Sequence, residues 1–148
     1  MLSTKEALAS LLSAAKPMNE TEIISTLDAT GRVLAEHVKS QLNVPTMDNT
    51  QMDGYAVRAS DCASGSASLR VSQRIPAGHV GQPLEAGTAA RIFTGALIPE
   101  GADAVVMQEQ CRFDEATGLV TVNHVPTSGE WVRRAGEDIR AGSVILES

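Results

Sequence analysis

The sequence predicts an α+β fold that is mostly β: an irregular β-rich domain preceded by N-terminal helices. Three observations lead there. Apolar residues recur at helical spacing only near the N-terminus, where Leu8, Leu11, Leu12 and Ala15 form one stripe. Beyond Ser40 the apolar residues come in short, largely β-branched runs. Gly, Pro and Asp clusters punctuate those runs at regular intervals.

The first helix has a start signal. Ser3-Thr4-Lys5-Glu6 reads as a capping box, in which the serine hydroxyl accepts an orphan backbone N–H and the glutamate reaches back to the cap. Lys16-Pro17 ends the run. A helix with a single apolar stripe needs a surface to cover it. Ile23–Leu27 is expected as a short strand, and a second helix is expected from Asp28 through Val33, Leu34 and Val38. Further strands are expected at Leu69–Val71, Ala89–Phe93, Ala104–Met107, Leu119–Val122 and Val144–Leu146, with Ala63–Ser68 as a loop. The expected division is an N-terminal helical segment, 1–40, and a β-rich domain, 41–148.

A chain of 148 residues can bury roughly 68–70% of its unfolded surface, so its core needs no staples. Apolar residues make up 43% of it, but there are only two Phe, one Tyr and one Trp, so the core must be built from Val, Ile, Leu, Ala and Met. The net charge of −6 argues against a nucleic-acid partner, which requires a basic field. Cys62 and Cys111 lie far apart with no Cys-x-x-Cys spacing, which speaks against a zinc site or a disulfide framework and for two reduced thiols. The N-terminus has neither a signal-peptide pattern nor a membrane span, so a cytoplasmic protein with no membrane partner is expected. Asn19-Glu20-Thr21 matches a glycosylation sequon, with nothing else pointing to secretion.

Three segments could carry chemistry. In Asp48–Arg58, Asp48-Asn49-Thr50 is turn chemistry, and Asp53-Gly54 sets a carboxylate directly before a residue free to take positive φ, at the start of a strand over Tyr55-Ala56-Val57. On local physics a tight turn is the more economical reading of this loop. Arg133-Arg134-Ala135-Gly136-Glu137-Asp138 is either a self-neutralising turn or a source of guanidinium forks and a metal-side carboxylate. Phe93-Thr94-Gly95 ends a predicted strand, and reads either as an ordinary strand-ending turn, the more economical choice, or as a hydroxyl and a glycine amide able to approach an anion. His37, His79 and His124 have no partner spacing and read as surface or packing residues.

Taken together these stretches resemble one family. Val44-Pro45 followed by Asp48–Arg58 is similar to the signature of the molybdopterin molybdenumtransferases, the MoeA and gephyrin E-domain family. The likeness continues in order through Ala77-Gly78, the run from Ala90 to Ala96, the run from Pro99 to Glu109, and Arg133–Ile139; the earlier Gly31–Ala35 also fits.

The resemblance implies the last step of molybdenum-cofactor assembly: insertion of molybdate into adenylated molybdopterin, with loss of the adenylate and with a divalent cation, usually Mg²⁺. It implies that Asp53 and Asp138 act at the reacting centre, and that Thr94 with Arg133 or Arg134 lines the same cleft. Because molybdate is a dianion, Asp53 and Asp138 are better cast as Mg²⁺ ligands or proton acceptors. Thr94, the Gly95 amide, Arg133 and Arg134 are the better oxyanion holders. The resemblance also implies a homodimer supplied by an upstream molybdopterin adenylyltransferase. It further leads us to expect the N-terminal region of such an enzyme, without the pterin-binding α/β domain and the C-terminal β domain, and inactive alone. Two other readings remain: a non-catalytic dimerisation or scaffold module, and a magnesium-dependent phosphohydrolase.

Overall fold

The structure, a computed structural model, describes residues 2–16, 18 and 20–148. Pro17 and Asn19, and with them the expected proline stop and the sequon, lie outside the described residues. The chain divides into two compact units, Met1–His37 with Glu147–Ser148, and Val38–Leu146.

In the first unit, α1 spans Thr4–Ala14 and begins with the expected capping box. The Glu6 amide donates to the Ser3 hydroxyl at 3.3 Å, and the Ser3 amide donates to the Glu6 carboxylate at 2.7 Å. Its stripe is uncovered: Leu8, Leu11 and Leu12 are 56%, 72% and 66% exposed. The strand expected at Ile23–Leu27 does not form. Thr26–Asp28 is instead one turn of 3-10 helix, capped by the Ser25 hydroxyl. The second helix does not form either. Gly31, three residues past that turn, takes φ +80, and Val33 is 93% exposed. Without a buried face, helical spacing alone holds little structure.

The second unit holds ten strands: β1 Val38–Lys39, β2 Asn49–Thr50, β3 Gly54–Val57, β4 Ala67–Ile75, β5 Thr88–Ile92, β6 Ala104–Met107, β7 Cys111–Asp114, β8 Leu119–Val122, β9 Val132–Arg133 and β10 Val144–Leu146. Six form one curled sheet in the order β6-β3-β5-β4-β8-β7, while β1 pairs with β10 and β2 with β9. All its pairings are antiparallel except β4 with β5. Ala67 and Ser68, expected in a loop, already belong to β4.

Alternation along the strands builds two cores, one on each face of the sheet. Tyr55, Val57, Leu69, Ala89, Val106, Val120 and Val122 fill one of them, together with Cys62. Their neighbours Ala56, Ala90, Ile92 and Val105 fill the other with Ile75 and Leu84. β3 is therefore buried along its whole length. Cys62 is buried, Cys111 half-buried, and both are free thiols. No helix among the described residues is long and apolar enough to cross a membrane.

Candidate functional site

The candidate site is built where the turn ahead of β3 meets the turn after β5. Gly54 opens β3, and a Cβ there would lie 2.0 Å from the Val106 carbonyl oxygen. This corrects the expectation of positive φ at Gly54: the residue is needed for room between β5 and β6, not for handedness. The strand start thereby fixes Asp53. The Asp53 carbonyl accepts from the Gln108 amide at 3.1 Å, and Asp53 Oδ1 accepts from the Thr94 hydroxyl at 2.6 Å and the Thr94 amide at 2.8 Å. The Thr94 hydroxyl, then its amide, and beyond them the charge of Arg91 hold the Asp53 carboxyl below the usual carboxylate range. Asp53 Oδ2 takes no hydrogen bond among the described residues.

The donors expected to hold an oxyanion are partly committed elsewhere. The single hydroxyl proton of Thr94 goes to Asp53. The Gly95 amide donates to the Thr50 carbonyl at 2.9 Å, in a turn where Gly95 takes φ +82. In this arrangement Thr94 orients a carboxylate, and Gly95 lets the chain reverse. Thr50, fully buried, ties the turn down: its hydroxyl donates to the Met52 carbonyl at 2.7 Å and accepts the Met52 amide at 3.1 Å.

The third segment meets the first through β2 and β9, where Asn49 faces Arg133 and Thr50 faces Val132. Asp48 clamps them. Its Oδ1 accepts the Ala135 amide at 2.8 Å and its Oδ2 accepts from Arg134 Nη1 at 2.6 Å. That amide first, with Arg134, outweighs partial burial and keeps the Asp48 carboxyl low. Glu137 closes the turn by accepting the Arg134 amide at 3.0 Å, and Gly136, at φ +73, packs under Asn43. Arg134 is thus neutralised by Asp48. Arg133 is freer, with Nη2 3.9 Å from Asp138.

Asp138 is set by its backbone amide, which donates to the Val44 carbonyl at 2.9 Å. Asp138 lines a shallow hollow together with Glu137, Arg140 and Ser143. No hydrogen bond or ion pair joins Asp138 to Asp53 among the described residues, nor do they contain a cluster of three or more His, Cys, Asp or Glu able to hold a metal. Sequence reasoning missed the clamp by Asp48, because its partners lie 86 and 87 positions away. It also missed Arg91, whose guanidinium binds the Gly54 carbonyl at 2.8 Å.

The MoeA N-terminal region (domain I and II) matches residues 2–148 of this chain. The chain belongs to the MoeA family. A molybdopterin molybdenumtransferase from Haemophilus influenzae is 41% identical over 148 residues, covering 99% of this chain and 36% of the relative. One from Nostoc is 45% identical over 134 residues, covering 86% of this chain and 30% of the relative. Among solved structures, the molybdopterin biosynthesis moeA protein from Pyrococcus horikoshii superposes with a TM-score of 0.88 at 34% identity, over 97% of this chain and 39% of that one. The chain spans about a third of the length of these MoeA relatives. The mostly β architecture with an N-terminal helix is the fold it shares with its structural neighbour.

Proposed function

We propose that this MoeA region supplies the carboxylate-bearing half of a site that inserts molybdate into adenylated molybdopterin, the molybdopterin molybdenumtransferase reaction of molybdenum-cofactor biosynthesis. What carries the reading is Asp53: one carboxylate oxygen is held by both donors of Thr94 and the other is left without a partner among the described residues. A carboxylate positioned through one oxygen and available through the other suits a proton acceptor or a cation ligand.

Mg²⁺ binds through one or two carboxylates and completes its shell with water and substrate phosphate. Asp53, and separately Asp138, fit that donor set and would hold it. Bound there, it would supply positive charge against the molybdate dianion. Arg133 is the residue of its segment best able to grip an oxyanion, since Arg134 is engaged by Asp48. Thr94 orients Asp53, and Gly95 shapes the turn that brings it there. The similar proteins are named molybdopterin molybdenumtransferase, and the reading takes in a cytoplasmic homodimer supplied by an upstream molybdopterin adenylyltransferase, as the family resemblance implies.

The test is a chimera in which this chain replaces the matching region of the Haemophilus influenzae relative, assayed for molybdate-dependent release of adenylate. Asp53→Asn and Asp138→Asn should each cut release about 100-fold or more while the protein stays folded. Full activity in both would reject the reading.

A further inference from the structure

We infer that Arg74 and Arg91 together form a binding site for a phosphate group next to the Asp53 turn, apart from the Arg133–Asp138 segment. An irregularity in the sheet creates it. On β4 and β5, Val71 faces Ala89, Ser72 is skipped, and Gln73, Arg74 and Ile75 face Ala90, Arg91 and Ile92. A bulge of one residue inverts the alternation of side chains. Without it Arg74 would lie on the face opposite Val71; with it Arg74 shares the face of Arg91, and Ile75 drops into the other core.

Both guanidiniums then stack on one ring. Arg74 and Arg91 lie 4.5 and 4.4 Å from the Phe93 centroid, and Arg91 also lies 5.4 Å from that of Tyr55. Like charges side by side on neighbouring strands are unfavourable, and the aromatic contact offsets only part of that. Among the described residues neither arginine has a carboxylate within 4.0 Å, although the chain carries a net charge of −6. The pair is a local positive spot in an acidic protein, with the Asp53 carboxylate near enough to feel the charge of Arg91.

It is also oriented in advance. Arg91 Nη1 donates to the Gly54 and Ile92 carbonyls at 2.8 and 3.1 Å, and Nη2 to Gln108 Oε1 at 2.6 Å. Three of its five N–H groups are used, which leaves Nε–H and one Nη2–H without a protein acceptor among the described residues. The Arg74 guanidinium makes no hydrogen bond among the described residues. Two guanidiniums match the charge and the paired oxygens of a phosphate dianion better than those of a single carboxylate. Gly54 and Phe93, which the pair touches, are the chain neighbours of Asp53 and Thr94. Only the ligand's identity rests on the function proposed above: the phosphate would be that of the adenylated substrate or of the released adenylate.

The experiment is an NMR titration of the chain, detecting arginine Nε–H, with inorganic diphosphate, adenosine monophosphate and adenosine. Diphosphate and adenosine monophosphate should shift Arg74 and Arg91 saturably, and adenosine should not. Binding of diphosphate without the monophosphate would point to an inorganic ligand instead of a nucleotide one. Arg74→Gln and Arg91→Lys should each weaken binding about tenfold, and Arg112→Gln on β7 should leave it unchanged. Absent binding, equal binding in both variants, or an equal loss in Arg112→Gln would overturn the inference. Asp53→Asn should keep phosphate binding, so the transfer reading and this one can fail separately.

Discussion

Asp48 and Arg134 stand 86 positions apart in the chain, yet their side chains meet at 2.6 Å, with the Ala135 amide on the other carboxylate oxygen at 2.8 Å. That clamp joins two segments that carry candidate site residues. Both partners are substantially exposed, so solvent screens the ion pair, and its value lies chiefly in placing the loop. Replacing Asp48 with Ala should cost about 1 kcal/mol in urea unfolding and broaden or shift the amides of Ala135–Asp138.

The same carboxylate sets a pH dependence. Its folded pKa is depressed from 3.8, first by the Ala135 amide and then, against partial burial, by Arg134. The contribution is therefore present above the unfolded pKa and is lost as pH falls through the lower folded value. Between neutral pH and pH 5 the clamp should be constant. Below about pH 4 the stability difference between wild type and Asp48→Ala should shrink, as paired denaturation curves would record.

Gly54 has no room for a side chain. Ala at this position would drive its Cβ to 2.0 Å from the Val106 carbonyl, in a strand buried on both faces. The expected loss is about 3 kcal/mol or more, read from chemical denaturation. Ala at Gly78, where nothing lies within 4 Å, meets only the cost of its positive φ, φ +80, and should lose about 1–2 kcal/mol.

Thr94 is expected to act on Asp53 through its hydroxyl. Thr94→Val keeps the amide donor and removes the hydroxyl, the larger cause of the depressed Asp53 pKa. The Asp53 carboxyl should then titrate closer to 3.8, visible as a shifted ¹³C carboxyl midpoint. An unchanged midpoint would remove Thr94 from that role.

The thiols should be inert in the folded protein. Burial pushes Cys111 up to about 12 and raises Cys62 as well, so neither presents thiolate at pH 8. Alkylation should be slow until denaturant is added, as mass spectrometry over time would show.

Much of the sheet was legible because its strands are short apolar runs between turn residues. Ala104–Met107, Leu119–Val122 and Val144–Leu146 formed over the stretches those runs marked. Cys111–Asp114 was not legible, since Arg112, Phe113 and Asp114 are exposed and the strand exists through its pairing with β8. The false helix from Asp28 shows the converse: spacing without a buried face and with Gly31 at positive φ does not fold as read. At the site, Asp53 drew notice because a carboxylate precedes a glycine. Its bond to Thr94, 41 positions on, and the bulge at Ser72 that turns Arg74 toward Arg91 depend on strand pairing, which local sequence does not record.

The role proposed for Asp53, oriented by Thr94, is in molybdate insertion. It is tested most directly by adenylate release in the chimera carrying Asp53→Asn, Thr94→Val or Thr94→Ser. Release should fall about 100-fold or more for Asp53→Asn, fall less for Thr94→Val, and recover in Thr94→Ser, which restores the hydroxyl. Wild-type release from a folded Asp53→Asn chimera would contradict it.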